Sequence, residues 1–413
     1  MRVRAYRRDR CRLCDSSKLE VVVKLEPTPP GDDFVLSDRL GEVQETYPLD
    51  IALCSECGNT QLMDIVSPEA IYDRYKYVTS ISLGLPEHFA RYAEDIMERI
   101  APPAGSLVVE MGSNEGALLR ALKANGLKVL GVDPAAEIAR MATDSGVETL
   151  AAYFTAELAA EIRSARGLAA VVAANNVFAN IDDVADVIEG IRDLLAPGGV
   201  FIMETSYWLD VVDKALLDTI FHEHLSYFSV KPLGDFFRRH GMQLIDAQRL
   251  PTKGGSVRIT AQLVGGPRRV AVNVGELIRR ERERGVQDAA RLRGFGASLE
   301  APRKELHEFV QGLKDERKSV AAYGAAVGLT TLIYHYGLGE MLDFIADDYE
   351  PKQGRFSPGF HIPVLAPSAL YEKKPDYVIV LAWRYCRPII AKHQSFLKQG
   401  GHFVVPLPSV QVF

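Results

Sequence analysis

The chain is poor in cysteine: five among 413 residues is far below the density of a disulfide-stapled scaffold. It also has no apolar run approaching the ~18 residues that a membrane helix needs. The basic start, MRVRAYRRDRC, has no apolar stretch behind it, so no signal peptide is expected. Positive charge is not in excess either. Lys and Arg total 48 against 54 Asp and Glu, a net charge of −6, which argues against a dedicated nucleic-acid binder. A local basic pocket for a small anion remains compatible with that balance. Internal repeats and low-complexity tracts are missing as well. These absences lead to the expectation of a soluble cytoplasmic enzyme with no nucleic-acid or membrane partner; they leave its oligomeric state open.

What is present is the composition of an ordinary globular protein, with 47% hydrophobic and 25% charged residues, and length enough for two to four domains. Residues 1–75 show little helical periodicity and many turn formers. From about 87 to 265 the character changes. SLVVE (106–110), LKVLGVD (127–133), AAVVAAN (169–175) and GVFIMET (199–205) read as buried parallel strands, alternating with amphipathic helices such as GALLRALKANG (116–126). Residues 273–318 are highly charged with mixed signs, the pattern of a solvated helical connector. KSVAAYG (318–324), LDFIADD (342–348) and PDYVIVLAW (375–383) then restart the strand–helix alternation. The expected architecture is α/β, with an N-terminal module (1–75), a doubly wound domain (76–265), and a connector leading into a second Rossmann-like domain (266–413).

Cys11-Arg-Leu-Cys14 and Cys54-Ser-Glu-Cys57 form two C-x-x-C pairs separated by 39 residues. Two intervening residues let both thiolates turn onto one tetrahedral ion, and four thiolates close a structural zinc site. The gap leaves room for an inserted hairpin. Cys386 stands apart and reads as a buried core thiol.

VVEMGSNEGALLRAL (108–122) is a strand, a loop with Gly112 and Gly116, and a helix. Its G-x-x-x-G spacing lacks the denser glycine turn that a pyrophosphate requires. S-adenosylmethionine has a positive sulfonium and no phosphate, and suits an acidic strand end such as Glu110 beside one sharp glycine turn. Asp133 ends the next strand 21 residues after Gly112, placed to accept ribose hydroxyls. Asn175 and Asn176 end a later strand at the same edge of the sheet. A class I methyltransferase is the first reading of this loop, and an NAD(P)-dependent enzyme the alternative.

DTIFHEHLSYFSVKPL (218–233) places His222, Glu223 and His224 among aromatic residues. Histidine suits general-base work near neutral pH. The same residues also fit a hydrogen-bonded core position or a metal ligand, so three roles stay open here. In an extended conformation His222 and His224 share one face and Glu223 the other.

Taken in order along the chain, these motifs resemble the zinc-containing, S-adenosylmethionine-dependent sugar C-methyltransferases that build branched deoxysugars. The likeness runs from the paired C-x-x-C through EMGSNEG, NNVFAN and FHEHLSYFS to KGGSVR (253–258), AYGAAVGLTTL (322–332) and DDYEPKQGRFSPGFHIPV (347–364). It implies methyl transfer to a ring carbon beside the ketone of a nucleotide-linked keto-deoxysugar. It makes His224 the base, with Glu223 beside it, and puts Tyr75 or Tyr77 near the substrate together with His222. Asn180 becomes a candidate donor to the enolate oxygen. For the cofactor it implies Glu110, Gly112, Asn114, Gly116, Asp133, Asn175 and Asn176. The C-terminal unit would hold the nucleotide diphosphate, with Lys352, Gln353 and Arg355 as cationic and polar contacts. Asn180 stands where members often have His, and Phe221 where many have Tyr; both changes remove proton-handling groups. A methyltransferase acting on a macromolecule or on another enolisable ketone is the remaining alternative.

The second glycine loop, VAAYGAAVGLTTLIYH (320–335), has Gly324 and Gly328, with Asp347 23 residues past Gly324. A nucleotide-sugar role is expected there rather than a second cofactor site.

Overall fold

The computed structural model describes residues 5–68, 71, 84–407 and 409–413. Tyr75 and Tyr77, both expected near the substrate, lie outside the described residues. The N-terminal region contributes β1 (Ala5–Arg7), β2 (Leu19–Val23), β3 (Ile51–Cys54), β4 (Thr60–Leu62) and β5 (Asp64–Val66). Strands β2, β3 and β4 pair antiparallel, and the pair β1–β5 stands beside them.

The central sheet has seven strands. They are β6 (Leu107–Met111), β7 (Lys128–Val132), β8 (Thr149–Leu150), β9 (Ala169–Asn175), β10 (Leu195–Ser206), β12 (Met242–Leu250) and β13 (Ser256–Leu263), with β11 (Ser226–Tyr227) belonging elsewhere. Their order across the sheet is β12-β13-β10-β9-β6-β7-β8. All run parallel except β13, which is antiparallel to both neighbours.

The apolar runs are continuous because both faces are covered. Val108, Val171, Val200 and Ile202 pack with Phe89, Tyr92 and Leu118 of helices Leu85–Arg99 and Ala117–Ala124. Val109, Val172, Phe201 and Met203 point the other way, toward Ile162, Ile188 and Phe237 of helices on the opposite face. This period-two alternation between two cores is what a parallel sheet between helical layers requires.

The C-terminal unit repeats the scheme on a smaller scale. Its strands are β14 (Val320–Tyr323), β15 (Ile345–Ala346), β16 (Val364–Leu365), β17 (Tyr377–Val380), β18 (His402–Val405) and β19 (Gln411–Val412). They lie in the order β16-β15-β14-β17-β18-β19, with the last pair antiparallel. None of the helices formed by described residues is long and apolar enough to cross a membrane.

Four local expectations need correction. The histidine segment is not extended: residues 221–223 form a turn closed by the His224 N–H on the Phe221 carbonyl, at 3.0 Å. The strand that follows, β11, pairs with β4 and joins the N-terminal sheet. The stretch between the cysteine pairs is not a simple hairpin insert. Beyond β2 it reaches the C-terminal unit, where Val35 and Phe356 exchange backbone hydrogen bonds of 3.1 and 2.9 Å.

The charged connector forms helices Val272–Arg284, Ala289–Ser298 and Glu300–Asp315. It is not wholly solvated. Glu281 is 1% exposed and accepts from Tyr207 Oη at 2.8 Å and from the Val230 N–H at 2.6 Å. Those donors drew a charged residue inward, since the first N–H groups of a helix have no partner within it. Cys386, finally, is half-buried at a helix start rather than sealed in the core.

Candidate active site

Sheet order reverses at β6, which lies between β7 and β9. In doubly wound sheets the crevice at that switch point, outside the carboxyl ends of the strands, is the usual binding place. A cavity of about 360 Å³ occupies it here, lined by Glu110, Gly112, Asn114, Asp133, Asn175, Asn176 and Asn180. Seven of the expected residues thus meet at one wall. Gly116 stays behind the loop as the helix N-cap, at φ 76°.

The loop is built by its glycines and by Asp133. Gly112 has φ 61°, and a Cβ there would come within 2.8 Å of Val177, so a side chain is excluded on both backbone and steric grounds. The Asp133 carboxylate accepts the Asn114 N–H at 2.9 Å and the Ala135 N–H at 3.0 Å. Burial raises its pKa, and those two N–H groups offset part of the rise. Glu110 is 3% exposed, and Asn175 Nδ2 donates to its Oε1 at 2.8 Å. Burial pushes its pKa up to about 8, against the lowering effect of that bond.

Glu110 Oε2, Asn175 Oδ1 and Ser113 Oγ are buried with no hydrogen-bond partner. Buried polar atoms are rarely left so, and three around one cavity mark acceptor positions awaiting a ligand's donors. Asp182, Asp183 and Asp186 add further acidic lining. A cavity with this surplus of carboxylates and no phosphate cradle fits S-adenosylmethionine, whose hydroxyls and ammonium donate and whose sulfonium is positive.

The histidine segment stands next to this cavity but does not form its wall. Each of its three residues has a distinct setting. His222 Nε2 lies 3.2 Å from the Tyr47 carbonyl, and its Nδ1 is buried without a partner. His224 Nδ1 lies 2.7 Å from the Thr219 carbonyl. A carbonyl only accepts, so in each ring the nitrogen facing it carries the proton. That leaves Nε2 of His224 as a proton acceptor and seals the acceptor nitrogen of His222 inside the protein. Burial holds both imidazoles at a pKa of about 4, hence neutral. Glu223 is pushed up to about 8 by burial, further by Asp32, with Lys352 and Lys253 opposing.

The segment is fixed from three sides. Leu225 donates to the Ala179 carbonyl at 2.8 Å, beside Asn180, and its own carbonyl accepts from the Leu62 N–H at 2.9 Å. Asp218 accepts from Arg384 Nε of the C-terminal unit at 3.0 Å.

Sequence reading missed two contributors. Arg12, inside the first C-x-x-C, donates from Nη1 to the Leu225 carbonyl at 2.9 Å and from Nε to Asp182 at 2.9 Å. Lys253 lines the cavity from the β12–β13 connection. The KGGSVR motif was visible, but nothing in it tells which edge of the sheet the loop occupies.

The four N-terminal cysteine sulfurs lie within 4.8 Å of one another. Cys11–Cys57 and Cys14–Cys54 are each 3.6 Å apart. Thiolates about 2.3 Å from one zinc ion stand about 3.8 Å apart, so the donor set fits a closed tetrahedral site. Asn59 Nδ2 approaches the Cys11 sulfur at 3.8 Å, supporting it from behind.

The C-terminal loop reproduces the geometry around Asp133. Asp347 accepts the Ala325 N–H at 2.5 Å and the Tyr349 N–H at 2.8 Å. Lys352 is paired with Asp32 and donates to the Ala325 carbonyl at 2.6 Å. Gln353 Nε2 donates to the Asp347 carbonyl, and Arg355 Nε to the Pro351 carbonyl, so all three are turned onto protein partners.

Three family models match the chain in order. A putative zinc binding domain covers residues 11–72, a methyltransferase domain 86–247, and a C-methyltransferase C-terminal domain 251–408. With the fold and cavity, these define an S-adenosylmethionine-dependent methyltransferase of the class I α/β type, with a zinc-binding N-terminal region. C-methyltransferase NovU of Streptomyces niveus is 36% identical over 405 residues, spanning 98% of this chain and 96% of the relative. The chain belongs to that C-methyltransferase family. A ubiquinone biosynthesis O-methyltransferase of Ralstonia nicotianae is 27% identical over 161 residues, 36% of this chain and 68% of its own length. Among solved structures, the CcbJ methyltransferase of Streptomyces caelestis covers 46% of this chain and 94% of its own, at 15% identity and TM-score 0.35.

Proposed function

We propose that this C-methyltransferase acts on a nucleotide-linked keto-deoxysugar, adding the methyl group to the ring carbon next to the ketone through an enolate. The observation that carries this reading is the neutral His224 imidazole, whose Nδ1 is committed to Thr219 and whose Nε2 is left as a base. An O- or N-methylation needs no carbon acid to be deprotonated, whereas C-methylation beside a ketone does.

Bound at this site, S-adenosylmethionine supplies an electrophilic methyl group. The residues proposed to hold it are Glu110, Gly112, Asn114, Asp133, Asn175 and Asn176, with Gly116 shaping the loop from behind and Asp133 and Glu110 as acceptors for its hydroxyl and ammonium donors. His224 Nε2 takes the proton from the substrate carbon, and Glu223, a neutral carboxyl at the same turn, is a hydrogen-bond donor there. Asn180, at the cavity wall beside the Ala179–Leu225 hydrogen bond, orients the sugar. Positioning does the rest, because alignment of reacting groups supplies most of what a methyl transfer requires. Cys11, Cys14, Cys54 and Cys57 hold zinc as a structural ion.

The C-terminal unit is assigned the nucleotide diphosphate, with Lys352, Gln353 and Arg355 as its contacts. Supporting this are the second glycine loop and the position of Lys352, which influences Glu223 electrostatically. Phosphate would then compete with Asp32 for the Lys352 ammonium. The test is incubation of the protein with S-adenosylmethionine and a panel of nucleotide-linked 4-keto sugars, followed by mass spectrometry. Gain of one methyl on a carbon of one member is expected. No methylated sugar from any member, with the cofactor shown to bind, sinks the substrate assignment.

A further inference from the structure

We infer that Lys253 is a further catalytic residue, its ammonium neutralising the oxygen of the substrate enolate. This rests on the keto-sugar reading above and adds to it the group that bears the developing negative charge.

The position of Lys253 follows from the sheet. Strand β12 runs parallel to the central strands, so it ends at the same carboxyl edge as Glu110 and Asn175. The turn into β13 therefore hangs over the crevice. Lys253 has φ 51°, an uncommon backbone for a residue with a side chain. Several bonds hold this turn. Arg384 of the C-terminal unit donates to the Lys253 carbonyl, Lys214 donates to the Gly254 carbonyl at 2.6 Å, and Thr252 Oγ1 donates to Glu204 Oε1 at 3.0 Å. A turn gripped from two units in a strained conformation has been placed, not left to drift.

Charge then separates Lys253 from the rest of the wall. The cavity lining carries the carboxyl groups of Glu110, Asp133, Asp182, Asp183 and Asp186, and among the described residues Lys253 is its single cation. Its ammonium makes no hydrogen bond or ion pair with any described residue. Glu204, the carboxylate that acts most strongly on it, is already taken by His88 at 2.9 Å and by Arg258 at 2.9 Å. Lys253 also acts electrostatically on both Glu223 and His224. It thus lines the cofactor cavity within electrostatic reach of the proposed base, with its charge unspent.

The chemistry needs such a group. When His224 Nε2 takes the alpha proton, the C–H electron pair becomes the new C=C bond, and the carbonyl π pair moves onto oxygen. That oxygen then carries a full negative charge until the carbon bonds to the methyl and the C=O re-forms. Burial keeps the proton affinity of His224 low, with a pKa of about 4, so a base of this kind can remove a carbon-bound proton only if the oxyanion is strongly stabilised. Asn180 contributes a neutral donor; Lys253 contributes a cation in a partly desolvated site, where it counts most. Burial lowers the pKa of Lys253 itself to about 8, opposed by Glu204 and Glu223 and assisted by Arg384, so it is mostly protonated at neutral pH.

One rival is specific: the ammonium binds the methionyl carboxylate of the cofactor instead. The experiment compares wild type, Lys253→Met and Lys253→Arg in three measurements. These are S-adenosylmethionine affinity by calorimetry, kcat, and solvent deuterium exchange at the alpha carbon of nucleotide-linked 4-keto sugars without methyl donor. Lys253→Met is expected to keep the cofactor Kd within about twofold, which also shows that it folds. Its exchange rate and kcat should fall together by about 10²–10³-fold, the usual loss for one oxyanion donor. Lys253→Arg keeps a cation and should recover part of both. Wild-type exchange in Lys253→Met overturns the inference, and a cofactor Kd about tenfold weaker with exchange intact assigns the ammonium to the cofactor carboxylate. If the wild-type protein exchanges no proton on any keto sugar, the substrate reading fails first and this inference with it.

Discussion

His222 and His224 are two residues apart and equally neutral, yet only one is equipped to accept a proton. The difference lies in which carbonyl each ring meets. Thr219 takes the Nδ1 proton of His224 and frees Nε2, while Tyr47 takes the Nε2 proton of His222 and leaves its bare Nδ1 enclosed. His224→Asn should therefore lower alpha-carbon deuterium exchange by about 10²–10⁴-fold, the range for loss of a general base. His222→Asn should leave exchange much closer to wild type. The reverse ranking would make His222 the base. The pair itself was legible in the sequence, because H-E-H among aromatics stands out. The choice between its members was not, since it depends on a turn that replaces the expected alternation of an extended strand. Glu110 offers a second test at this scale. Its folded pKa of about 8 exceeds the ordinary 4.5, so the neutral form is what the empty fold favours. Its stabilising share is complete below about pH 4.5 and is lost as pH rises through about 8. Without ligand, the Tm of wild type minus that of Glu110→Gln should fall across that window and level off above it; a flat difference means Glu110 is ionised throughout.

At the scale of elements, the parallel strands were readable because strands covered on both faces appear as unbroken apolar runs, as in AAVVAAN and VAAY. The β12–β13 pair escaped notice for the converse reason. Asp246, Arg258, Thr260 and Gln262 are buried within these strands, and their polarity disguises the core. They are tolerated because they are satisfied: Arg258 pairs with Glu204 and lies 3.4 Å above the Tyr92 ring, and Asn273 donates to Asp246. Glu281 follows the same principle in the connector. Its charge pattern suggested a solvated face, yet it closes the start of helix Val230–Arg239 and the Tyr207 hydroxyl in one contact. Glu281→Ala removes the acceptor and leaves those buried donors unmet. It should cost about 2–4 kcal/mol in a denaturant melt, since one buried unsatisfied group costs about 1–3 kcal/mol and charged partners more. A loss below about 0.5 kcal/mol would mean the donors find other acceptors when Glu281 is gone.

For the molecule as a whole, three units meet on the stretch 218–228, and this meeting explains why a zinc module belongs to this methyltransferase. The cofactor cavity is a product of the central sheet. The proposed base is not: its segment runs into β11, whose partner β4 belongs to the zinc module. Arg12, between two of the cysteine ligands, bonds both the Leu225 carbonyl next to His224 and Asp182 at the cavity. The C-x-x-C pairs were legible at once as a metal site, but their bearing on the base was hidden, since β4 and β11 are more than 150 residues apart. Loss of zinc should therefore separate the two halves of the reaction. Purified protein is expected to hold one zinc per chain. Its removal, or Cys54→Ser, should unfold the N-terminal sheet first and slow alpha-carbon exchange by at least about tenfold. The Kd for S-adenosylmethionine should stay within about threefold, a difference of less than about 1 kcal/mol. Parallel loss of exchange and cofactor affinity would instead show that the zinc module supports the whole fold, and unchanged exchange in zinc-free protein would show that β11 needs no partner strand to hold His224 in place.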